Sequence, residues 1–275
     1  MRIHIISDME GVAGIVRNEQ TQAGEPLYEE GRKLYTEEIN AAVRGAKKAG
    51  AKEIVVMDHH GAGKAYSFNS LVPDLLDPAC EYVVQSSWTE YTGFLEAGCD
   101  ACLLVGMHAM AGTPDGVLSH TVSGREWRSL RFNGVLVGET GINAAFCGSW
   151  GCPVLLVTGD EATCREAAAL LGDDLTTVSV KQGIGRASAR SVAPLRAREL
   201  IEEGARNALK NRDAVKPYDP GRPAEIAVEF MTPSEVNKYQ RRQGVEVTGP
   251  ESVVSRAPEW WTAWRQLFLE PRLAS

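Results

Sequence analysis

Three short runs in this sequence carry residue types that could bind a metal ion: Ser7-Asp8-Met9-Glu10-Gly11, Asp58-His59-His60-Gly61 and Gly106-Met107-His108-Ala109. Carboxylates and imidazoles form a hard-to-borderline ligand set that suits Zn²⁺, with Mn²⁺ as a second option. Asp8 and Glu10 stand two apart, so an extended chain points both the same way. Two uncompensated carboxylates that close would repel and raise a pKa, and a dication removes the conflict. A carboxylate shared between two metals would hold them at the roughly 3.5–4 Å spacing of two-metal hydrolases. His59 and His60 point in opposite directions if extended, so one of them is expected to be a ligand. Their spacing alone does not choose between them. His4, flanked by apolar neighbours, reads as a strand residue without a chemical role. Any one of these residues has a plainer reading: an Asp after a strand caps a turn or helix, and a single His is hydrogen-bonded in the core or at the surface.

What favours chemistry is where the runs fall. Each closes an apolar strand: 2–7, 53–57 and 101–107. Between them the pattern predicts a helix over 28–49, with Tyr35, Ile39, Ala42, Val43 and Ala46 on one face and Gly50 as its stop. A strand over 81–85 and a helix over 89–97 follow. Apolar strands alternating with helices imply an α/β fold with a mainly parallel sheet covered on both faces. In such a sheet all three runs reach the carboxyl edge, where open α/β sheets place ligands. Strands about 4.8 Å apart let side chains from neighbouring ends share a metal.

Further along, Asn133-Gly134 predicts a hairpin over 131–137, and 141–147 a short helix. The pattern then restarts with a strand at 153–160, a helix at 161–171, a strand at 176–180, a helix at 194–211 and a strand at 224–230. This suggests a metal-site lobe over 1–150 and a second, smaller α/β lobe over 151–275. Trp260, Trp261, Trp264, Leu267 and Phe268 form a helical apolar stripe, expected to pack in the core or, failing that, at a subunit interface.

Composition narrows the function. The 275 residues include 29 basic and 36 acidic side chains, for a net charge of −7, with no long Lys/Arg run. Nucleic-acid binding and attachment to anionic lipid are not expected. No apolar run reaches the roughly 18–20 residues of a membrane helix, and the first residues read as a strand rather than an export signal. The six cysteines then fit reduced thiols in a cytoplasmic protein. Cys99-x-x-Cys102 runs into a buried strand and has no second pair to complete a zinc site. Gly61-Ala62-Gly63-Lys64 is not a phosphate loop, because Asp58 stands where the first Gly is needed and Ala65 follows the Lys.

With these residues in view, the sequence resembles the zinc-dependent D-aminopeptidases of the DppA type (peptidase family M55). The Ser7–Gly11 run matches the family's opening motif. Asp58-x-His60, Gly106-x-His108-Ala109, Ser119-His120 and Gly138-Glu139-x-Gly141-x-Asn143-Ala144 follow in order, and weaker similarity carries the resemblance to about residue 230. It implies two zinc ions held by Asp8, Glu10, His60, His108 and Glu139, with Asp8 as the bridge. It thereby selects His60 over His59, implies His120 as the catalytic histidine, and adds Glu139, otherwise a turn carboxylate. It also implies removal of N-terminal D-residues from short peptides, and a homo-oligomer, in the family's best-known member a ring-like decamer.

Two alternatives stand beside this reading. The same dinuclear site could act on L-aminoacyl peptides, other amides or phosphoesters, although no motif sets an Arg or Lys beside a ligand as phosphoesterases usually do. A non-catalytic metal-binding assembly protein would leave His120 without a purpose.

Overall fold

The computed structural model describes residues 1–85 and 90–268. Twelve strands are formed among them: β1 (Arg2–Ser7), β2 (Glu53–Asp58), β3 (Glu81–Tyr82), β4 (Ala101–Met107), β5 (Trp127–Phe132), β6 (Val135–Leu136), β7 (Val154–Asp160), β8 (Thr176–Gly185), β9 (Ser188–Ser191), β10 (Ala224–Phe230), β11 (Val245–Gly249) and β12 (Ser252–Ala257). The helices are α1 (Tyr28–Lys48), α2 (Gly93–Glu96), α3 (Glu139–Gly148), α4 (Glu161–Leu171), α5 (Pro194–Lys210), α6 (Pro233–Val236) and α7 (Trp260–Phe268).

Seven strands form one sheet in the order β3-β2-β1-β4-β7-β8-β9, parallel except for the β8–β9 hairpin. Period-two alternation sends Ile3 and Ile5 of β1 and Leu103 and Val105 of β4 to one face, where α1 covers them and α5 covers β7 and β8. Ile6, Cys102 and Leu104 go to the other face, against α3 and a second sheet. That second sheet is antiparallel, in the order β11-β12-β10-β5-β6. The mainly parallel sheet flanked by helices is therefore as expected. Both sheets draw strands from either side of residue 150, so the expected boundary falls between α3 and β7 without separating them.

Several elements differ in extent from the sequence reading. β3 stops at Tyr82 rather than 85, and Val84 is 63% exposed. The helix expected over 89–97 is the single turn of α2, and residue 89 lies outside the described residues. β8 continues five residues past 180 because β9 pairs with it. The predicted hairpin forms at Asn133-Gly134, both with positive φ.

The strand order reverses between β1 and β4: the chain runs outward from β1 to β2 and β3, then returns to the far side of β1. Such a switch point opens a crevice at the carboxyl edge. Here β4 carries an irregularity against β7 between Leu104 and Met107. Gly106, at φ +75°, turns out of the ladder, and its N–H is taken by Thr158 Oγ1 at 3.0 Å. The freed Gly106 carbonyl accepts from Gly11 N at 2.8 Å, which docks the loop after β1 onto the end of β4. A Cβ on Gly106 would lie 2.1 Å from the Asp8 carbonyl oxygen, and one on Gly11 would lie 1.9 Å from that of Met107.

Candidate metal centre

That docking sets Asp8 at the head of β1 beside His108, which follows β4. Asp8 divides its carboxylate between two rings: Oδ1 is 3.1 Å from His60 Nδ1 and Oδ2 is 3.2 Å from His108 Nε2. Glu10 Oε2 also lies 3.1 Å from His60 Nδ1, and Glu139 Oε1 lies 3.4 Å from His108 Nε2. His120 stacks on His108, with centroids 4.0 Å apart and planes 14° apart, and its Nε2 is 3.6 Å from Glu139 Oε1. All six residues singled out by the sequence therefore meet, across about 130 residues of chain.

The remaining ring nitrogens are already committed. His60 Nε2 lies 2.7 Å from the Thr21 carbonyl, His108 Nδ1 2.9 Å from that of Ala109, and His120 Nδ1 2.9 Å from that of Leu118. A carbonyl only accepts, so each of these nitrogens carries the proton. The lone pairs of the opposite nitrogens are aimed into the acidic cluster. There, His108 Nε2 and Glu10 Oε2 are buried without a hydrogen-bond partner. Lone pairs facing carboxylates at 3.1–3.4 Å repel unless a proton or a cation lies between them. Zinc bonds to N and O at about 2.0–2.2 Å and would fit between such pairs. Among the described residues, the groupings close enough for one ion are Asp8–Glu10–His108 and His108–His120–Glu139. The donor set and its orphaned atoms thus fit zinc.

Electrostatics agree. Burial would raise the Asp8 carboxyl, but hydrogen bonds and charge from His108 and His60 hold it well below the usual carboxylate range. Burial would depress His60 and His108, yet the surrounding Glu10, Glu139 and Asp8 carboxylates push both well above the usual imidazole value. The carboxylates thus favour positive charge at these ring nitrogens, which protons supply here and a dication would supply in their place.

Other residues hold this cluster in place. Asp58 turns inward from the end of β2 and accepts from His60 N and Tyr35 Oη, each at 2.8 Å, and from Ser70 N. His59 lines the same cavity but turns its Nδ1 to Asn143 Oδ1 on α3, 2.9 Å away, and burial lowers its pKa to about 4. His4 is fully buried in β1, with Nδ1 3.1 Å from the Val55 carbonyl, as expected of a strand residue.

Sequence reasoning missed Lys181. Its ammonium, wholly buried, donates to the carbonyls of Glu10, Val12 (2.8 Å) and Ile15 (2.6 Å), and Glu38 accepts from Ala13 N at 2.9 Å. The loop that carries Glu10 is thus gripped from both sides. No sequence signal marked it, because β8 is mostly polar or exposed around Val180 and Lys181. Cys152 lies beside Cys99 and Cys147 beside Cys102, but among the described residues these thiols form no grouping close enough to hold a metal, in line with the expectation. All six cysteines are free.

A cavity of about 400 Å³ opens over the cluster. Asp8, Glu10, His60, His120 and Glu139 line one side of it, and α3 and α7 supply the other. Two of the five residues of the expected α7 stripe, Trp260 and Leu267, are buried in the core, while Trp261, Trp264 and Phe268 line the cavity. No helix among the described residues is long and apolar enough to cross a membrane.

Comparison with known proteins gives three findings. The sequence model of the D-aminopeptidase family matches residues 1–269, so the match continues past residue 230, where the sequence resemblance ended. The D-aminopeptidase of Bacillus subtilis (strain 168) is 31% identical over 278 residues, spanning 100% of this chain and 98% of that protein. The solved structure of the Zn-dependent D-aminopeptidase DppA from Bacillus subtilis, described as a self-compartmentalizing protease, superposes with a TM-score of 0.88 at 31% identity, covering 97% of this chain and 95% of that one.

Proposed function

The chain belongs to the D-aminopeptidase family of zinc peptidases (peptidase family M55), and from that membership we propose that its carboxyl-edge site removes N-terminal D-residues from short peptides, using two zinc ions. The observation that carries this reading is the division of Asp8 between His60 and His108. It supports Asp8 as the ligand that would be shared, with Glu10, His60, His108 and Glu139 around it. When bound, the zinc pair supplies Lewis-acid polarisation of the scissile carbonyl and lowers the pKa of water.

The chain's own residues do the rest. The acidic wall receives the peptide's α-amino end, and the cavity of about 400 Å³ admits a short peptide rather than a folded chain. His120 is the proton carrier. Its Nδ1–H is held by the Leu118 carbonyl, so Nε2 is the basic atom. Nε2 takes a proton from the attacking water and returns it to the leaving amine. Stacking on His108 restrains the ring while it does so. By likeness to a self-compartmentalizing relative, we read the chain as a homo-oligomer, a ring-like decamer in its fullest form. Its six free thiols favour a cytoplasmic setting.

The test pairs zinc analysis with hydrolysis of D- and L-aminoacyl p-nitroanilides and dipeptides. The expected result is about two zinc per chain and release from the D series. A fully loaded protein inactive on every substrate overturns the aminopeptidase reading, and preference for the L series overturns the stereochemical one.

A further inference from the structure

The cavity wall facing the carboxylates is built almost wholly of apolar side chains. Ile142 and Phe146 come from α3, Trp261, Trp264 and Phe268 from α7, and Val122 from the loop between β4 and β5. Phe146 is anchored in the core and Trp261 and Trp264 pack against it, but the outer part of the wall stays open. On α7, Trp260 and Leu267 are 3% and 2% exposed, whereas Phe268 remains 37% exposed. A soluble surface rarely spends its largest apolar side chains on an open concavity unless a ligand covers them. The wall is also stiff. Phe146 meets Trp261 at 5.4 Å between centroids, Trp261 meets Trp150 at 5.1 Å, and Trp264 stacks on Phe268 at 4.4 Å. Arg265, the cation of that helix lining the cavity, is tied to Glu90 at 3.0 Å.

We propose that this aromatic wall is the specificity pocket for the side chain of the N-terminal residue, and that it selects peptides beginning with a large apolar residue, aromatic or branched aliphatic, over those beginning with alanine. The inference rests on the aminopeptidase reading above. The α-amino group and the scissile carbonyl flank a single Cα. With both held at the acidic wall, the side chain on that Cα leaves toward the opposite wall. An alanine methyl leaves the aromatic surface wet, whereas a phenyl or isobutyl group covers it and releases that water. In such pockets each added methylene is worth roughly 10–200-fold in discrimination.

The experiment measures kcat/KM of the zinc-loaded protein for the p-nitroanilides of D-Ala, D-Leu and D-Phe. D-Leu and D-Phe are expected to exceed D-Ala by at least about tenfold. Trp261→Ala should lower the D-Phe/D-Ala ratio severalfold. Phe268→Ala, at the exposed end of α7, should do the same with less risk to folding. Because the readout is a ratio of two substrates on one protein, a merely structural loss would not move it. Equal or better hydrolysis of D-Ala by the wild type overturns the inference while leaving the aminopeptidase reading standing. A ratio unchanged in both folded variants also overturns it. Absence of hydrolysis on all three substrates with zinc bound overturns both readings together.

Discussion

His60 and His108 each commit one ring nitrogen to a main-chain carbonyl and present the other to carboxylates. Sequence could name these residue types but not their tautomers, which depend on the Thr21 and Ala109 carbonyls. It also could not separate His60 from His59 by spacing. The structure brings His60 into the cluster because Asp58 accepts its backbone N–H and turns the chain there. Asp58→Asn should therefore weaken zinc binding by about 10–100-fold without removing a ligand, as measured by competition with a chelating dye. His120→Ala should keep both metals and lose about 10²–10⁴-fold in kcat, and zinc loss in that variant would make His120 a ligand instead. His4 gives a pH prediction. Burial drops its pKa to about 4, partly offset by the Val55 hydrogen bond, against 6.5 for an ordinary His. Between those values the unfolded chain binds the extra proton, so stability is present above pH 6.5 and is lost as pH falls toward 4. The full effect is about 3 kcal/mol. His4→Gln, which keeps a donor for Val55, should flatten that part of the urea-unfolding profile.

At the scale of elements, strong apolar strands and the long amphipathic α1 were readable because burial enforces their periods. The edges were less readable. β11 alternates over only four residues and is largely exposed, and β9 is held by pairing rather than by its own pattern. Glu139 looked like a turn carboxylate because α3 was expected to begin at 141, yet it is the first helical residue, placed by Gly138 before it. The turn at Gly106 has the sharpest consequence. Gly106→Ala would put a Cβ against the Asp8 carbonyl in a positive-φ conformation that costs an L-residue roughly 1–3 kcal/mol before any clash. We expect Tm to fall by at least about 5 °C and zinc affinity to fall with it, since β1 and β4 can no longer close on each other. Unchanged melting and zinc content would show that the docking of these strand ends is not needed.

For the whole molecule, sequence located the site's edge but not the second, antiparallel sheet. The two sheets interleave across residue 150, because β5 and β6 leave for the antiparallel sheet before β7 returns to the parallel one. Zinc should stabilise this single framework broadly. At a thousandfold excess over Kd, binding contributes about 4 kcal/mol, so chelation should lower Tm by roughly 10 °C, read by calorimetry with and without EDTA. An unchanged Tm would mean that the acidic cluster is satisfied without metal. The grip on the loop after β1 bears on what loading involves. Lys181 fixes three carbonyls there and Glu38 fixes an amide, all from within the protein. The arm that carries Glu10 is therefore shaped by an ammonium that never leaves, and it does not wait for zinc to order it. Metal uptake should then resemble filling a rigid socket more than folding around an ion: little ordering entropy, little change in heat capacity, and an apo protein that keeps its near-ultraviolet dichroism.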